Sequence, residues 1–451
     1  MRGRDVEEVL EAVLPTSAML EDIRTSGMQK RARKLDALEL VRSAVLAAGN
    51  GGSGRQAAIL ESYFASHGGV DVVRGAAYSW FSPAFETVMQ SSADRAMTYA
   101  RGLAPDLPGF LGEHVVDWHA FDSTTVRLDD SLVGAYPSTG SHAALKVHKR
   151  FSIGVGATVG YHLSSAREHD SPHLTLDESW RGHGLLADLG YASFRLLRQA
   201  QHYDTRFVIR LKESWKPKVM SIEAGDVKGT FARGADFDML LDDEVLHLSG
   251  PSIDADVRLG AKDPVDARLV GVEHDGAYRW YLTDLPRSVT PEQIAQLYRV
   301  RWEIEIDNRL NKSNFNMDEI SARTPHTARA LVHASIAASI LTCVLAYKHR
   351  VEEGRPRRPG TDRKVPPAHP SSIGRAMAAS ALRIAEMLAG ERDASSEAWD
   401  ALAQILTKRG FDPNWRRSPS MLDQLRGWRV RPAKSRGGGR KKKKTPVSTA
   451  N

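Results

Sequence analysis

Four residues of the stretch YRVRWEIEIDNRLNKS carry side chains that can do chemistry together. At about 100° per residue, with Tyr298 set at zero, Arg301 falls at about −60°, Glu305 at about −20° and Lys312 at about −40°. One phenol, two cations and one carboxylate thus share an arc of about 60° on one helix. Leu297, Val300 and Ile304 gather on a separate arc of similar width, an apolar face for packing. Glu303 and Asp307 point to the far side of the helix from the first arc. A carboxylate flanked in this way can hold a hard cation, while the cations and the hydroxyl hold phosphate oxygens. On an arbitrary helix the same arc is a solvated stripe of weak ion pairs. Two aspartates supply more oxygen ligands. Asp122 stands in VVDWHAFDSTTV, late in an expected strand, and Asp188 stands in GLLADLGYAS, at a strand end before a helix. Carboxylates at strand ends of an open sheet lie at the rim where sites form, although either one alone also suits a cap.

The pattern around these residues says what must position them. Residues 1–105 read as helical: Leu35, Leu38, Val41, Val45 and Leu46 recur at helical spacing, glycines at 49–54 and 68–69 break the pattern, and Ser82-Pro83 opens a further helix. The cluster QKRARK at 29–34 suits phosphates, so this region is expected to be either a DNA-binding helical domain or a plain helical bundle. Past Pro105 the register changes to strands at Val115–Ser123, Ser152–Thr158, Tyr161–Ser164 and Leu185–Leu189, then a helix at Ser193–His202 and a strand at Arg206–Leu211. That order implies an α/β fold, a mixed sheet flanked by helices. From about 213 to 286 short strands dominate (Phe237–Leu241, Val245–Leu248, Ala255–Leu259, Ala267–Val272 and Tyr278–Thr283), a β-rich insertion. Thr290-Pro291-Glu292-Gln293 forms a capping box opening the helix that carries Glu305. A helical C-terminal region follows at 326–425. Its apolar run Ala330–Tyr347 contains His333, two serines and a threonine, and reads as a buried helix rather than a membrane span.

The chain has 451 residues, 41% hydrophobic and 26% charged, which excludes collagen-like and mostly disordered classes. A single cysteine, Cys343, excludes an internal disulfide and a Cys-based zinc site and suits the cytoplasm. The net charge is +7, yet residues 426–451 hold ten Lys or Arg and no acid, leaving a net −3 elsewhere. The basic balance therefore belongs to a tail that reads as disordered.

Together these motifs resemble the transposases of bacterial insertion sequences, specifically the IS-four family. Tyr298, Arg301, Glu305 and Lys312 stand at the spacing of that family's YREK signature, and FDST around Asp122 and Asp-x-Gly-Tyr at Asp188 look like its first two acidic motifs. Phe207–Lys212 and Tyr281–Pro286 look like the strands around its β insertion, so the resemblance covers about 110–325. Asn308 stands where relatives often carry an aromatic residue, a departure expected to touch packing rather than chemistry. The resemblance implies a ribonuclease-H-like catalytic domain whose Asp122, Asp188 and Glu305 form a DDE triad holding two Mg2+ ions, with Mn2+ a substitute, about 4 Å apart. It also implies that Tyr298, Arg301 and Lys312 contact DNA, that transposon end repeats and target DNA are the substrates, that excision runs through a hairpin, and that a homodimer assembles on DNA in the bacterial cytoplasm. A nuclease of the same fold without strand transfer, or a non-catalytic regulator bound to the element's ends, are the alternatives.

Eight histidines (His114, His119, His142, His148, His162, His169, His173 and His183) crowd the first half of this region without a recognisable zinc spacing, and read as surface or hydrogen-bonded residues. Trp118, Trp215, Trp280 and Trp302 are candidates to hold an unstacked base, with core packing the plainer role.

Overall fold

The computed structural model describes residues 1–29, 36–47, 55–66, 73–222, 235–236, 252–260, 263–353, 368–390, 395–412 and 419–428. The QKRARK cluster beyond Gln29, the two strands expected between 237 and 248, and the basic tail from 429 lie outside them.

Its centre is an 11-stranded sheet. Strands β1 (Trp118–Leu128), β2 (Ala144–Ser152) and β3 (Ala157–Ser165) form an antiparallel meander. β4 (Gly184–Ala187) and β5 (Arg206–Arg210) join β1's other edge in parallel, giving the order 3-2-1-4-5. The strands of the 213–286 segment do not stand apart. β6 (Lys218–Ile222), β7 (Ala235–Asp236), β8 (Ser252–Leu259), β9 (Val265–His274) and β10 (Ala277–Thr283) extend the same sheet, because β10 pairs antiparallel with β5. The short β11 (Glu319–Ile320) pairs with the far end of β1.

The alternation along β1 sorts the two faces. Trp118, Ala120, Val126 and Leu128 turn to one face, and Phe121 turns to the other. On the first face lie α8 (Pro291–Val300) and α9 (Trp302–Asn314), followed by the buried α10 (Pro325–Glu353). On the second lies α7 (Phe194–His202), whose Leu196, Leu197 and Ala200 pack against the sheet. The apolar stretch 330–347 is therefore the spine of a core, its side chains covered by protein.

The N-terminal helices α1 (Gly3–Val13), α2 (Thr16–Ser26), α3 (Ala37–Leu46), α4 (Gln56–Ser66), α5 (Arg74–Tyr78) and α6 (Pro83–Arg101) share that core with α10 and with α11 (Pro370–Ala378), α12 (Ala381–Ala389) and α13 (Ser396–Arg409). Ser82 caps α6, accepting from Phe85 N–H, with Pro83 in the first turn. Gly3 lies so close to α13 that a β-carbon there would come within 2.4 Å of the Asp400 backbone nitrogen. Arg329 of α10 holds Glu86 of α6 through two nitrogens, at 2.5 and 2.9 Å. A last short helix, α14 (Met421–Leu425), packs on α8 through Leu422.

Three expectations shift. The run expected as a strand from 152 to 158 contains the β2–β3 turn, and β2 itself was not anticipated. β1 runs on to Leu128, so Asp122 lies mid-strand rather than late in it. The signature helix breaks at Arg301 into α8 and α9, where Arg301 N–H donates to Tyr298 O at 3.1 Å and Ile304 N–H to Arg301 O at 3.2 Å.

Candidate active site

Strand register brings the two aspartates together. The parallel β1–β4 ladder runs from Trp118 opposite Gly184 to Phe121 opposite Ala187, and one further step puts Asp122 beside Asp188. β4 ends there, while β11 begins pairing with β1 only at Arg127. That edge of β1 is thus open from Asp122 to Val126 among the described residues. The opening is a cleft of about 550 Å³ lined by Asp122, Thr124, Glu305, Asn308, Lys312 and Asp318.

Asp122 is largely buried. Burial foremost pushes its pKa above the usual carboxylate range, and the Glu305 and Asp188 charges add to the rise; the Ser123 N–H and Arg301 oppose it. Asp188 is half-buried, and its Oδ1 accepts the Leu189 N–H at 2.7 Å. Glu305 comes from α9, and its Oε1 accepts from Arg301 Nη2 at 2.6 Å. The Arg301 guanidinium lies 5.6 Å from the Tyr298 ring centroid. Burial pushes the Tyr298 hydroxyl up to about 12, with Arg301 working against the rise. All six residues singled out by spacing therefore fall in one region, Lys312 on the acidic cleft and Tyr298 and Arg301 on an adjoining one.

Asn308 departs from expectation, since its Nδ2 donates to Asp122 Oδ2 at 3.0 Å. On the helical wheel Asn308, at about −80°, lies about 40° from Lys312 and so borders the arc of Glu305 and Lys312. Asp307 turns to the sheet, where it is buried and forms an ion pair with Lys149 of β2, with Asn311 donating to it at 3.1 Å. Glu303 faces Ser420 and Arg426, away from the cleft.

The adjoining cleft, lined by Arg210, Arg279, Arg299, Arg301 and Trp302, was missed by sequence reasoning. Trp302 is 49% exposed there, so core packing does not apply to it. Trp118 is a core residue, Trp215 stacks on Phe194 at 4.7 Å, and Trp280 stacks on Tyr278 at 5.7 Å. The four arginines come from two strands and a helix, and nothing in their spacing announces the meeting.

The metal-ligating groups on the acidic cleft are oxygens, and burial foremost, with the Glu305 and Asp188 charges added, raises Asp122, a condition a divalent cation relieves. Asp122, Asp188 and Glu305 are nonetheless not drawn into one tight cage. Among the described residues, only His148, His162 and His173 bring three ligand atoms within 4.8 Å of one another.

Strand order 3-2-1-4-5, with one aspartate in the central strand and another at the end of its parallel neighbour, defines a ribonuclease-H-like domain. Residues 119–341 match the family described as transposase DDE domain. Domains of this kind use divalent metal ions and act on DNA.

The chain is 21% identical over 235 residues to the protein assigned as transposase for insertion sequence element IS4SA of Synechocystis sp., covering 50% of this chain and 57% of that one. It is 20% identical over 268 residues to the transposase for insertion sequence element IS1151 of Clostridium perfringens, covering 50% and 56%. The chain thus spans somewhat over half the length of these curated relatives. A solved structure of a piggyBac transposase synaptic complex with hairpin DNA aligns at a TM-score of 0.46 and 11% identity, over 89% of this chain and 85% of that one.

Proposed function

We propose that the protein is a DNA transposase of an insertion sequence, of the IS-four type, that cleaves the element's ends and joins them to target DNA. The observation carrying this reading is the register that sets Asp122 beside Asp188 with Glu305 facing them from α9, inside the span that matches the transposase DDE domain. Asp122, Asp188 and Glu305 would hold two Mg2+ ions, for which Mn2+ could substitute. When bound, the ions supply activation of the attacking oxygen and neutralisation of the leaving one in an in-line displacement.

The chain's own residues do the rest. Asn308 fixes one Asp122 oxygen and so the orientation of the carboxylate. Arg301 holds Glu305 and balances its charge until phosphate competes for the guanidinium. Lys312 meets phosphate along the acidic cleft, and exposed Trp302 offers aromatic surface for an unstacked base beside Arg210, Arg279 and Arg299, with the largely buried Tyr298 lining the same cleft where it would contact the DNA. End repeats and target duplex are the DNA partners, and a homodimer would process two ends together in the cytoplasm.

The test places a marker between the DNA segments that flank the gene in cells, with native protein and Glu305→Gln compared. Excision by the native chain alone supports the proposal; equal excision by Glu305→Gln removes the third ligand from it. If neither excises, purified protein with Mg2+ and end DNA decides: strand-transfer products retain the transposase, while nicking without transfer makes the protein a nuclease of the same fold. Joined or hairpinned ends in the same reaction identify the excision route.

A further inference from the structure

Three of the eight histidines meet beside the acidic cleft, on the opposite face of the sheet. His148 of β2 and His162 of β3 are register partners, so their side chains leave the same face, and Ser123 of β1 is the next partner across. His173, in the 3-10 turn Ser171–His173, folds over them. Ring centroids lie 4.5 Å apart for His148 and His162 and 4.1 Å for His148 and His173. One ring nitrogen from each residue falls within 4.8 Å of the other two.

The hydrogen bonding leaves one inward nitrogen, His148 Nδ1, without a partner. His148 is fully buried; its Nε2 is 2.9 Å from Ser164 Oγ, while its Nδ1 has no hydrogen-bond partner and stands 3.9 Å from Asp170 Oδ1. His162 Nε2 and His173 Nδ1 share a hydrogen bond of 2.8 Å, whose proton an ion would displace, and the outer His173 Nε2 lies 3.2 Å from Glu168 Oε2. His148 and His173 thus show the division of metal-bound imidazoles, one nitrogen turned inward and the other held by an outer oxygen.

We propose that His148, His162 and His173 form a nitrogen-ligated site for a borderline divalent transition-metal ion, zinc by its chemistry, which staples the β2–β3 hairpin to the 165–180 segment. Three imidazoles leave one tetrahedral position for water or for Asp170. The ligand set differs from the all-oxygen cleft, so the two sites select different metals. They are also connected. Asp170 Oδ1 accepts from Ser123 Oγ at 2.9 Å and lies 3.0 Å from Lys146 Nζ, and Ser123 adjoins Asp122. An ion in the histidine site would thereby fix β1 at the acidic cleft.

The test uses the untagged full chain, stripped with chelator, loaded with zinc in excess Mg2+, desalted and analysed for metal by mass spectrometry. Native protein and Asp122→Asn are expected to retain one zinc per chain. His162→Gln and His173→Gln are expected to retain none, with folding checked by circular dichroism. Cobalt loading should give a tetrahedral visible band in native protein, and zinc should raise the melting temperature of native protein but not of the variants. A folded native chain that keeps no zinc overturns the proposal whatever the variants do. Retention by both histidine variants with loss in Asp122→Asn also overturns it, since the ion would then belong to the acidic cleft.

Discussion

At the scale of single residues, the wheel drawn on the sequence put Tyr298, Arg301, Glu305 and Lys312 on one arc, and their types alone indicated phosphate and metal chemistry. It left out Asn308, which stands about 40° beyond Lys312 at the arc's edge and whose neutral amide gave no sign of the bond it makes to Asp122. Removing that amide frees Asp122 to turn, so Asn308→Ala is expected to raise the Mg2+ needed for half-maximal cleavage by about tenfold, read from a Mg2+ titration of end cleavage. His119 makes a prediction about pH. Its Nδ1 accepts from Arg150 Nε at 2.7 Å and its Nε2 lies 3.3 Å from Asp117, which fixes a neutral ring stacked on His183. Burial pushes its pKa down to about 4; Asp117 opposes the shift, while Arg150 and His183 reinforce it. The unfolded chain therefore takes up a proton first as pH falls, so this stability is present above about 6.5 and is lost between about 6.5 and 4. Buried His333, pushed down to about 4 as well, acts in the same direction. Urea unfolding at pH 7 and pH 5 is expected to differ by a few kcal/mol, on the order of 2 for His119, and His119→Gln should narrow the gap.

At the scale of elements, what could be read followed chemical punctuation. The Thr290 capping box, the Ser82-Pro83 start and the Ser193 cap all mark helices where expected. β2 was missed because ALKVHKRFS carries Lys146, His148, Lys149 and Arg150 in a strand, a composition that reads as solvent-exposed. Those charges are offset by partners on other elements: Lys149 pairs with Asp307 in the interior, and Arg150 lies over the Trp180 ring at 3.8 Å. Losing β2 from the reading hid the histidine cluster, since His148 and His162 meet only through the β2–β3 register. The Lys149–Asp307 pair also joins α9 to the sheet. Lys149→Met leaves a buried carboxylate without its cation and is expected to cost about 3–5 kcal/mol in urea unfolding. Adding Asp307→Leu should recover most of that loss, because the pair's desolvation is removed with it.

At the scale of the whole molecule, the strand and helix sequence indicated a mixed sheet flanked by helices, but neither the place of β2 in it nor the joining of β10 to β5. Long-range pairing of that kind depends on which edge remains free, and local pattern does not record it. The basic tail is a separate matter of charge. Deleting residues 435–451 removes six cations, and is expected to weaken DNA affinity and flatten its salt dependence without altering sequence preference, measured as binding against salt concentration. The helices α1–α6 bury their apolar faces against α10–α13, which are encoded more than two hundred residues later. During translation, at about 5–20 residues per second, the completed α6 therefore waits about 10 to 45 s before the start of α10 is made. For that interval the nascent chain carries these helices without the later ones that cover them, so adding a holding chaperone to a cell-free translation is expected to raise the yield of soluble protein.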